Sequence, residues 1–278
     1  MLKQIINNKQ ALVGLIMIGI VIIVMIIAPL ISPNSPVQGD LSMRFAKRSM
    51  NYPLGGDQLG RCNYTRLIYG TRYSIGIAIP VLILTAILSI ITGTIAAYYK
   101  GIVDQVFVAI CDIGMAFPPM IIVLTLVGSL GKSIANLIIA IVFALWFWNA
   151  KIVRSFVLAE SHKKYILAAK ISGSSNFKII IKHIIPNIMP SLVVFFSLSI
   201  SDIIIMISSF SFLGLGVDSS LPEWGSMISI AKKFIYSKPY MALYPGFCIF
   251  FTAIGFNIFG EALRDINAID SKVKYEKH

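Results

Sequence analysis

Two carboxylates, Asp112 and Asp202, sit inside long apolar runs of this 278-residue chain. A charge at the centre of a membrane helix costs roughly 2.5–3.5 kcal/mol on insertion scales, so an acid there marks a site until its partner is known. Asp112 falls near the end of its run, where fixing the packing of one helix on another is enough to explain it. Asp202 lies deeper and is flanked by Ser199, Ser201, Ser208 and Ser209. A serine-flanked carboxylate suits either a polar passage for a cationic or amine-bearing solute or hydrogen bonding between helices.

Other patterns lack parts that their chemistry needs. Gly128-Ser-Leu-Gly-Lys-Ser133 ends like a phosphate-binding loop, but the required earlier glycine is Leu126. Gly214-Leu-Gly216 has no third glycine and no βαβ context for a dinucleotide. His162, His183 and His278 share no short ligand spacing with a cysteine or a carboxylate. Cys62, Cys111 and Cys248 are dispersed without a C-x-x-C pair, which leaves neither a zinc site nor a disulfide framework. No Ser-His-Asp or metalloprotease pattern occurs. The expectation is a non-catalytic chain with no metal site and no nucleotide site of its own.

The elements that carry these residues are membrane helices. Hydrophobic residues make up 57% of the chain and charged residues 13%, with mean hydropathy +0.83; soluble domains average about 25% charged. The net charge of +12 does not point to nucleic acid, because Lys and Arg cluster between apolar runs as in membrane loops. A helix needs about 20 apolar residues to cross the hydrocarbon core. Six runs qualify: Ala11–Ile31, Ser74–Tyr98, Val106–Val127 with Pro118-Pro119 inside it, Ala135–Ala150, Ile188–Leu213 and Met241–Gly260. The first is longer than the roughly 7–15 residues of a signal-peptide core and reads as an uncleaved anchor.

Six spans place both termini on one side. Lys151–His183 carries Lys151, Arg154, Lys163, Lys164, Lys170, Lys178 and Lys182 against Glu160 alone, so that side is the cytoplasm. Residues 32–73 also hold basic residues, but over a length at which the rule weakens. The expected organisation is one membrane domain: a stub at 1–10, six helices within 11–265 and a tail at 266–278. Residues 32–73 and 214–240 lie outside and 151–187 form the cytoplasmic loop.

Within that loop, Tyr165–Ser172 reads as a short helix stopped by Gly173, and Ser174-Ser175-Asn176 supplies caps for a second helix. The second, Phe177–Ile185, puts Phe177, Ile180, Ile181, Ile184 and Ile185 on one face and Lys178 and Lys182 on the other, an amphipathic helix on the membrane surface. Lys182 and His183 suit its negative end. Pro186 and Pro190 end it and begin the fifth span. Ala168-Ala169 offers a small-residue face that another surface can approach.

At Ala168-Ala169-Lys-Ile-Ser-Gly173, closed by Pro186, the stretch resembles the E-A-A-x-x-x-G coupling-loop motif of ABC-importer permeases, with Leu167 in place of the glutamate. Pro53-Leu-Gly-Gly-Asp-Gln-Leu-Gly-Arg61, running on through Thr65 to Ser74, is similar to the P-L-G-T-D-x-x-G-R signature of the dipeptide/oligopeptide/nickel permeases. Asp112 with Ala116-Phe117-Pro118, Ser211-Phe-Leu-Gly-Leu-Gly216 with Pro222-Glu-Trp-Gly225, and Phe256-Asn257 with Leu263-Arg264-Asp265 resemble further motifs in family order. The pattern is that of the second, C-type, permease.

The resemblance implies an all-α membrane protein, the six-helix transmembrane domain of a type I ABC importer. Its partners would be a second permease, two cytoplasmic ATPases that bind ATP and magnesium, an extracytoplasmic solute-binding protein and the lipid bilayer, in a bacterial cell membrane. Cofactors in this chain would be none. Ala168, Ala169, Gly173, Ser174, Lys182 and Pro186 would couple to the ATPases. Asp202, Ser201, Asp112 and Asn257 would line the translocation path. Asp57, Gly60, Arg61, Gly214, Gly216 and Trp224 would form the extracytoplasmic motif. The transported solute would be a di- or oligopeptide, nickel or a metal chelate. The competing reading, an ion-coupled carrier acting alone, calls for several ionisable groups near midplane in repeated halves; the sequence has two acids and no repeat.

Overall fold

The computed structural model describes the backbone of residues 2–276 and the side chains of residues 5–268. Its helices are α1 (Leu2–Asn7), α2 (Lys9–Ile31), α3 (Asn63–Tyr99), α4 (Gly101–Met115), α5 (Pro119–Leu130), α6 (Ile134–Ser161), α7 (Lys164–Ile171), α8 (Asn176–Ile179), α9 (Ile185–Phe212), α10 (Trp224–Ala231) and α11 (Tyr240–Glu276). A π-helical segment, Ile180–Ile184, joins α8 to α9 without a gap. No strand is formed among the described residues; one isolated bridge pairs Gly56 with Cys62.

Five helices are long and apolar enough to span a membrane, and six spans result when the bent pair α4–α5 counts as one. The all-α, six-span expectation holds in that form, with its bounds corrected in several places, among them α6, which runs on to Ser161, eleven residues past the expected Ala150, because Val153 and Val157 are buried there. The third run is not one rod: α4 and α5 meet at 84°. Pro118 has extended backbone at ψ 133° because the following Pro119 disfavours the helical region, and neither proline can donate to a turn behind it. Helix α3 begins at Asn63, eleven residues before the expected Ser74, because Asn63, Thr65 and Arg66 are buried against loops rather than lying in one. Helix α11 continues past Gly260 into the expected tail, as far as Glu276. Its Ala262 and Ile266 pack with Ala11 and Ile5, so the added turns have apolar surface to bury.

The main apolar core lies between α3, α5, α6 and α9, around Val81, Val123, Leu137, Ile141, Ile203 and Ile207. Residues 32–62 and 213–239 cluster at one end of the bundle. Residues 162–184 lie at the other, together with the start of α2 and the far half of α11. Lipid tails are as apolar as leucine, so membrane helices hold together by close packing at small residues. A Cβ on Gly93 of α3 would stand 2.6 Å from the Ala150 carbonyl oxygen and 3.0 Å from the Arg154 amide nitrogen of α6. Both are helix backbone and cannot yield.

Gly93→Val should therefore lower the temperature at which the purified protein loses monodispersity in detergent. Overpacking of this kind costs about 1–3 kcal/mol. A Cβ on Gly76 would meet nothing within 4 Å, and Gly76→Ala should leave that temperature unchanged or raise it. Equal stability of the two variants would refute the packing role of Gly93.

Candidate functional site

The cytoplasmic-loop candidates assemble from local rules. Helix α7 ends in a Schellman motif: the Ser174 amide donates to the Ala169 carbonyl (3.1 Å) and the Gly173 amide to Lys170 (3.0 Å). Gly173 sits at φ +78°, the left-handed region that glycine enters without strain. The Ser175 hydroxyl then accepts from the Lys178 amide to start α8. Asn176 is tied back to the end of α3, where its Oδ1 accepts from the Tyr98 hydroxyl at 2.8 Å. The Lys170 ammonium lies 5.0 Å from the centre of the same Tyr98 ring. At the start of the loop the Tyr165 hydroxyl donates to Glu160, which also pairs with Lys163 at 2.8 Å. Burial, and then the bond to that carboxylate, push the Tyr165 hydroxyl above its ordinary range.

Beyond α8 the chain departs from expectation. No separate amphipathic helix ends at Pro186; α8, the π segment and α9 form one continuous rod, with Pro186 in the first turn of α9. The Ile185 amide reaches back five residues to the Ile180 carbonyl. This wider turn lets the Pro186 ring, which cannot donate, pass the carbonyl it would strike in an α-helix. The His183 carbonyl accepts from Asn187 Nδ2 at 2.6 Å and from the Tyr165 hydroxyl at 3.3 Å. The buried stripe is Ile179, Ile184, Ile188, Leu192 and Phe196, with a step of five at the π segment and of four thereafter. Phe177 and Ile181, expected on the membrane face, are 74% and 49% exposed.

Together with Leu167 (60%) and Ile171 (79%) they make an exposed apolar surface around Gly173. Ala168 lies on that surface with exposed Lys182 and Pro186, while Ser174 is half-buried. Ala169 turns the other way and packs against the core containing Val153, Val157 and Ile179. The small pair is thus split: Ala168 faces outward, and Ala169 seats the loop on its own bundle.

At the opposite end the motif residues interlock. Asp57, Arg61 and Arg66 are 1–3% exposed. Asp57 accepts from the Leu59 and Arg61 amides and from Arg61 Nε at 2.7 Å. Gly60 stands at φ +71°, where any Cβ would collide with the Asp40 carbonyl. Arg66, which lies inside the quoted motif but was not among the candidate site residues, donates to the carbonyls of Pro36 (2.8 Å), Ser220 (3.0 Å), Leu221 (3.3 Å) and Ser219 (3.4 Å). One side chain thereby fastens both long loops. Trp224 is 1% exposed and donates from its indole to the Leu67 carbonyl at 3.0 Å, over Gly70. Gly214 closes α9 with a second Schellman turn at φ +76°, and Gly216 packs on Ser211.

Glu223, fully buried and also missed, caps α10 by accepting from Gly225 (2.9 Å) and Ser226 (2.8 Å), and it accepts from Ser74 at 3.2 Å. Burial pushes its carboxyl above the ordinary 4.5, against the lowering by those two amides. A cavity of about 990 Å³ opens beside this cluster, lined by Arg61, Lys132, Gly214, Gly216, Asp218 and Lys233.

The path candidates do not converge. Ser201 is buried and donates to the Ala253 carbonyl at 2.8 Å, joining α9 to α11. Asp112 pairs with Lys151 at 2.6 Å on a solvent-accessible face. Asn257 is exposed on α11. Asp202 alone borders a cavity, of about 210 Å³, between α3, α6 and α9. No group of three or more metal-ligating side chains exists among the described residues.

Arg66→Ala should release both long loops. Limited proteolysis within 213–223 should then accelerate about tenfold or more, since unpairing buried polar groups costs several kcal/mol. Unchanged cleavage would show that Arg66 is not the fastener. The folded state keeps a proton on Glu223 that the unfolded chain releases near pH 4.5, so this group makes stability fall as pH rises above 4.5. Glu223→Gln should flatten that part of the stability–pH curve; an unaltered slope would count against a raised Glu223.

The chain was compared with known proteins. Residues 89–273 match the model of the binding-protein-dependent transport system inner membrane component. Residues 1–51 match the N-terminal transmembrane domain of oligopeptide transport permease C. A dipeptide transport system permease of Alkalihalophilus pseudofirmus is 37% identical over 98% of this chain and 89% of its own length. A nickel transport system permease of Escherichia coli is 34% identical over 91% of each chain. A glutathione transport system permease of Pectobacterium atrosepticum is 36% identical over 80% of this chain and 73% of its own. With its six-span helical bundle, the chain belongs to this family as a C-type membrane permease of the ABC importers for peptides and nickel.

Proposed function

We propose that this chain forms one half of the membrane path of an importer and that ATP hydrolysis in separate subunits drives it through residues 164–186. The observation that carries the reading is the apolar surface of Leu167, Ile171, Phe177 and Ile181, four large side chains 49–79% exposed on a rigidly capped loop. Large apolar side chains exposed together on one short loop mark a protein contact. Leu167 stands where the family motif has glutamate, so the contact to the ATPase is apolar here, with Ala168 beside it. Lys170, Lys178 and Lys182 rim it and favour an acidic border on the partner.

The basic loop faces the cytoplasm of a bacterial cell, and the chain crosses the inner membrane with both termini on that side. A second, similar permease encloses the path, and two ATPases bind ATP and magnesium. An extracytoplasmic binding protein docks at the end bearing residues 32–62 and 213–239 and releases a di- or oligopeptide, nickel or a metal chelate. Movement of the ATPases shifts the bundle between inward- and outward-facing arrangements.

The test is reconstitution with the partner subunits in proteoliposomes. Uptake should require ATP and all subunits. Leu167→Asp should insert and pair with the second permease yet lose about tenfold or more in ATP-driven uptake and in retention of the ATPase, equivalent to roughly 1.4 kcal/mol at one buried anchor. Uptake by this chain alone on an ion gradient, or normal uptake by Leu167→Asp, would sink the reading.

A further inference from the structure

We propose that the cavity beside Asp202 binds a primary ammonium group of the transported solute within the membrane; the inference rests on the permease reading above and deepens it. The cavity, of about 210 Å³, is lined by Thr85 from α3, Trp148 and Asn149 from α6, and Ser199 and Asp202 from α9. All lie in the middle stretches of their helices. Thr85 is 2% exposed and its hydroxyl is buried without a partner. Asn149 is 5% exposed; its Nδ2 donates to the Leu145 carbonyl at 2.7 Å, and no donor among the described residues bonds its own carbonyl oxygen. Ser199 donates its proton to the Phe195 carbonyl at 3.0 Å. Among the described residues Asp202 makes no hydrogen bond or ion pair, and no lining residue is cationic.

The wall is mostly apolar, from Leu82, Leu145, Phe195, Phe196, Leu198 and Ile203, and its four oxygen-bearing side chains surround one unmatched negative charge. A primary ammonium brings one positive charge and three N–H donors, which is what this set lacks. Trp148 adds an aromatic face next to the same space, the side chain with the strongest attraction for a cation. Asp202 also belongs to a helical stripe, Ser199, Asp202, Met206 and Ser209, at steps of three, four and three. A bare carboxylate, exposed on α9 with serines before and after it, is too costly to turn towards lipid and so meets a passage. One carboxylate with neutral oxygens is a weak set for a transition metal, which favours the ammonium over a bare metal cargo.

The test places a reporter thiol beside the carboxylate in the full transporter, assembled with its partner subunits in proteoliposomes. Cys62 and Cys111 are buried; Cys248 is changed to serine to remove the remaining background. A cationic methanethiosulfonate should modify Ser199→Cys about tenfold faster than an anionic one of equal size, as a focused negative potential raises cation encounter. Adding Asp202→Asn should bring that ratio to within about twofold of unity, because the charge that attracts the cation is gone. Ethylammonium should slow the cationic reaction and a nickel salt should not. No modification of Ser199→Cys, a ratio indifferent to Asp202→Asn, or protection by nickel alone or by neither probe would overturn the ammonium site. Loss of the ATPase subunits on purification would instead overturn the proposed ATPase coupling while leaving the labelling ratio intact.

Discussion

Hydrocarbon offers a bare amide nothing to bond with, and that constraint governs where this chain can break its helices. Prolines 80, 190 and 245 are tolerated inside long helices. Pro118-Pro119 is not, and there the path turns by 84° between two short helices. At Pro186 the solution is intermediate: a π segment widens one turn, the Asn187 side chain bonds the His183 carbonyl, and the rod runs on unbroken.

That continuity has a mechanical consequence. From Asn176 to Phe212 the chain is a single helical rod of 37 residues. One end carries exposed Phe177 and Ile181, the middle carries Asp202, and the far end passes through Gly214 into the cluster of Arg66, Glu223 and Trp224. A rod transmits displacement where a hinge would absorb it. The loop is also fixed at its base by Tyr98–Asn176, by Tyr165–Glu160 and by Ala169 in the core, which ties it to α3 and α6 as well as α9.

The opposite end is built for rigidity of a different kind. There Arg66 directs its guanidinium at four backbone carbonyls from two loops, and Asp57 organises the turn around Gly60 and Arg61. The loops are thus held by hydrogen bonds in place of secondary structure, and the larger cavity opens between them. The bundle joins these ends through close glycine contacts such as Gly93 on α6, which leave helices able to shift as packed bodies.

Much of this was legible without coordinates where the cause was local. Apolar run length fixed the spans, and Gly173 with Ser175 fixed the helix stop and restart, because a left-handed residue and a cap act within a few positions of the chain. The family motifs, read in order, fixed the type of protein. Other features waited on the fold. Arg66 and Glu223 could not be ranked from sequence, since the contacts that tie them to the other loop or helix, Arg66 to Ser220 and Glu223 to Ser74, span about 150 residues, and Ser201 and Asp202, adjacent in the chain, proved to face a neighbouring helix and a cavity respectively. The π segment that moved the buried face of residues 177–185 arises from how Pro186 is accommodated while Ile179 and Ile184 pack on α3 and α6. Sequence determined what each segment is; tertiary packing decided which way each side chain faces, because helix rotation is set by contacts between segments and not by the residues of one segment alone.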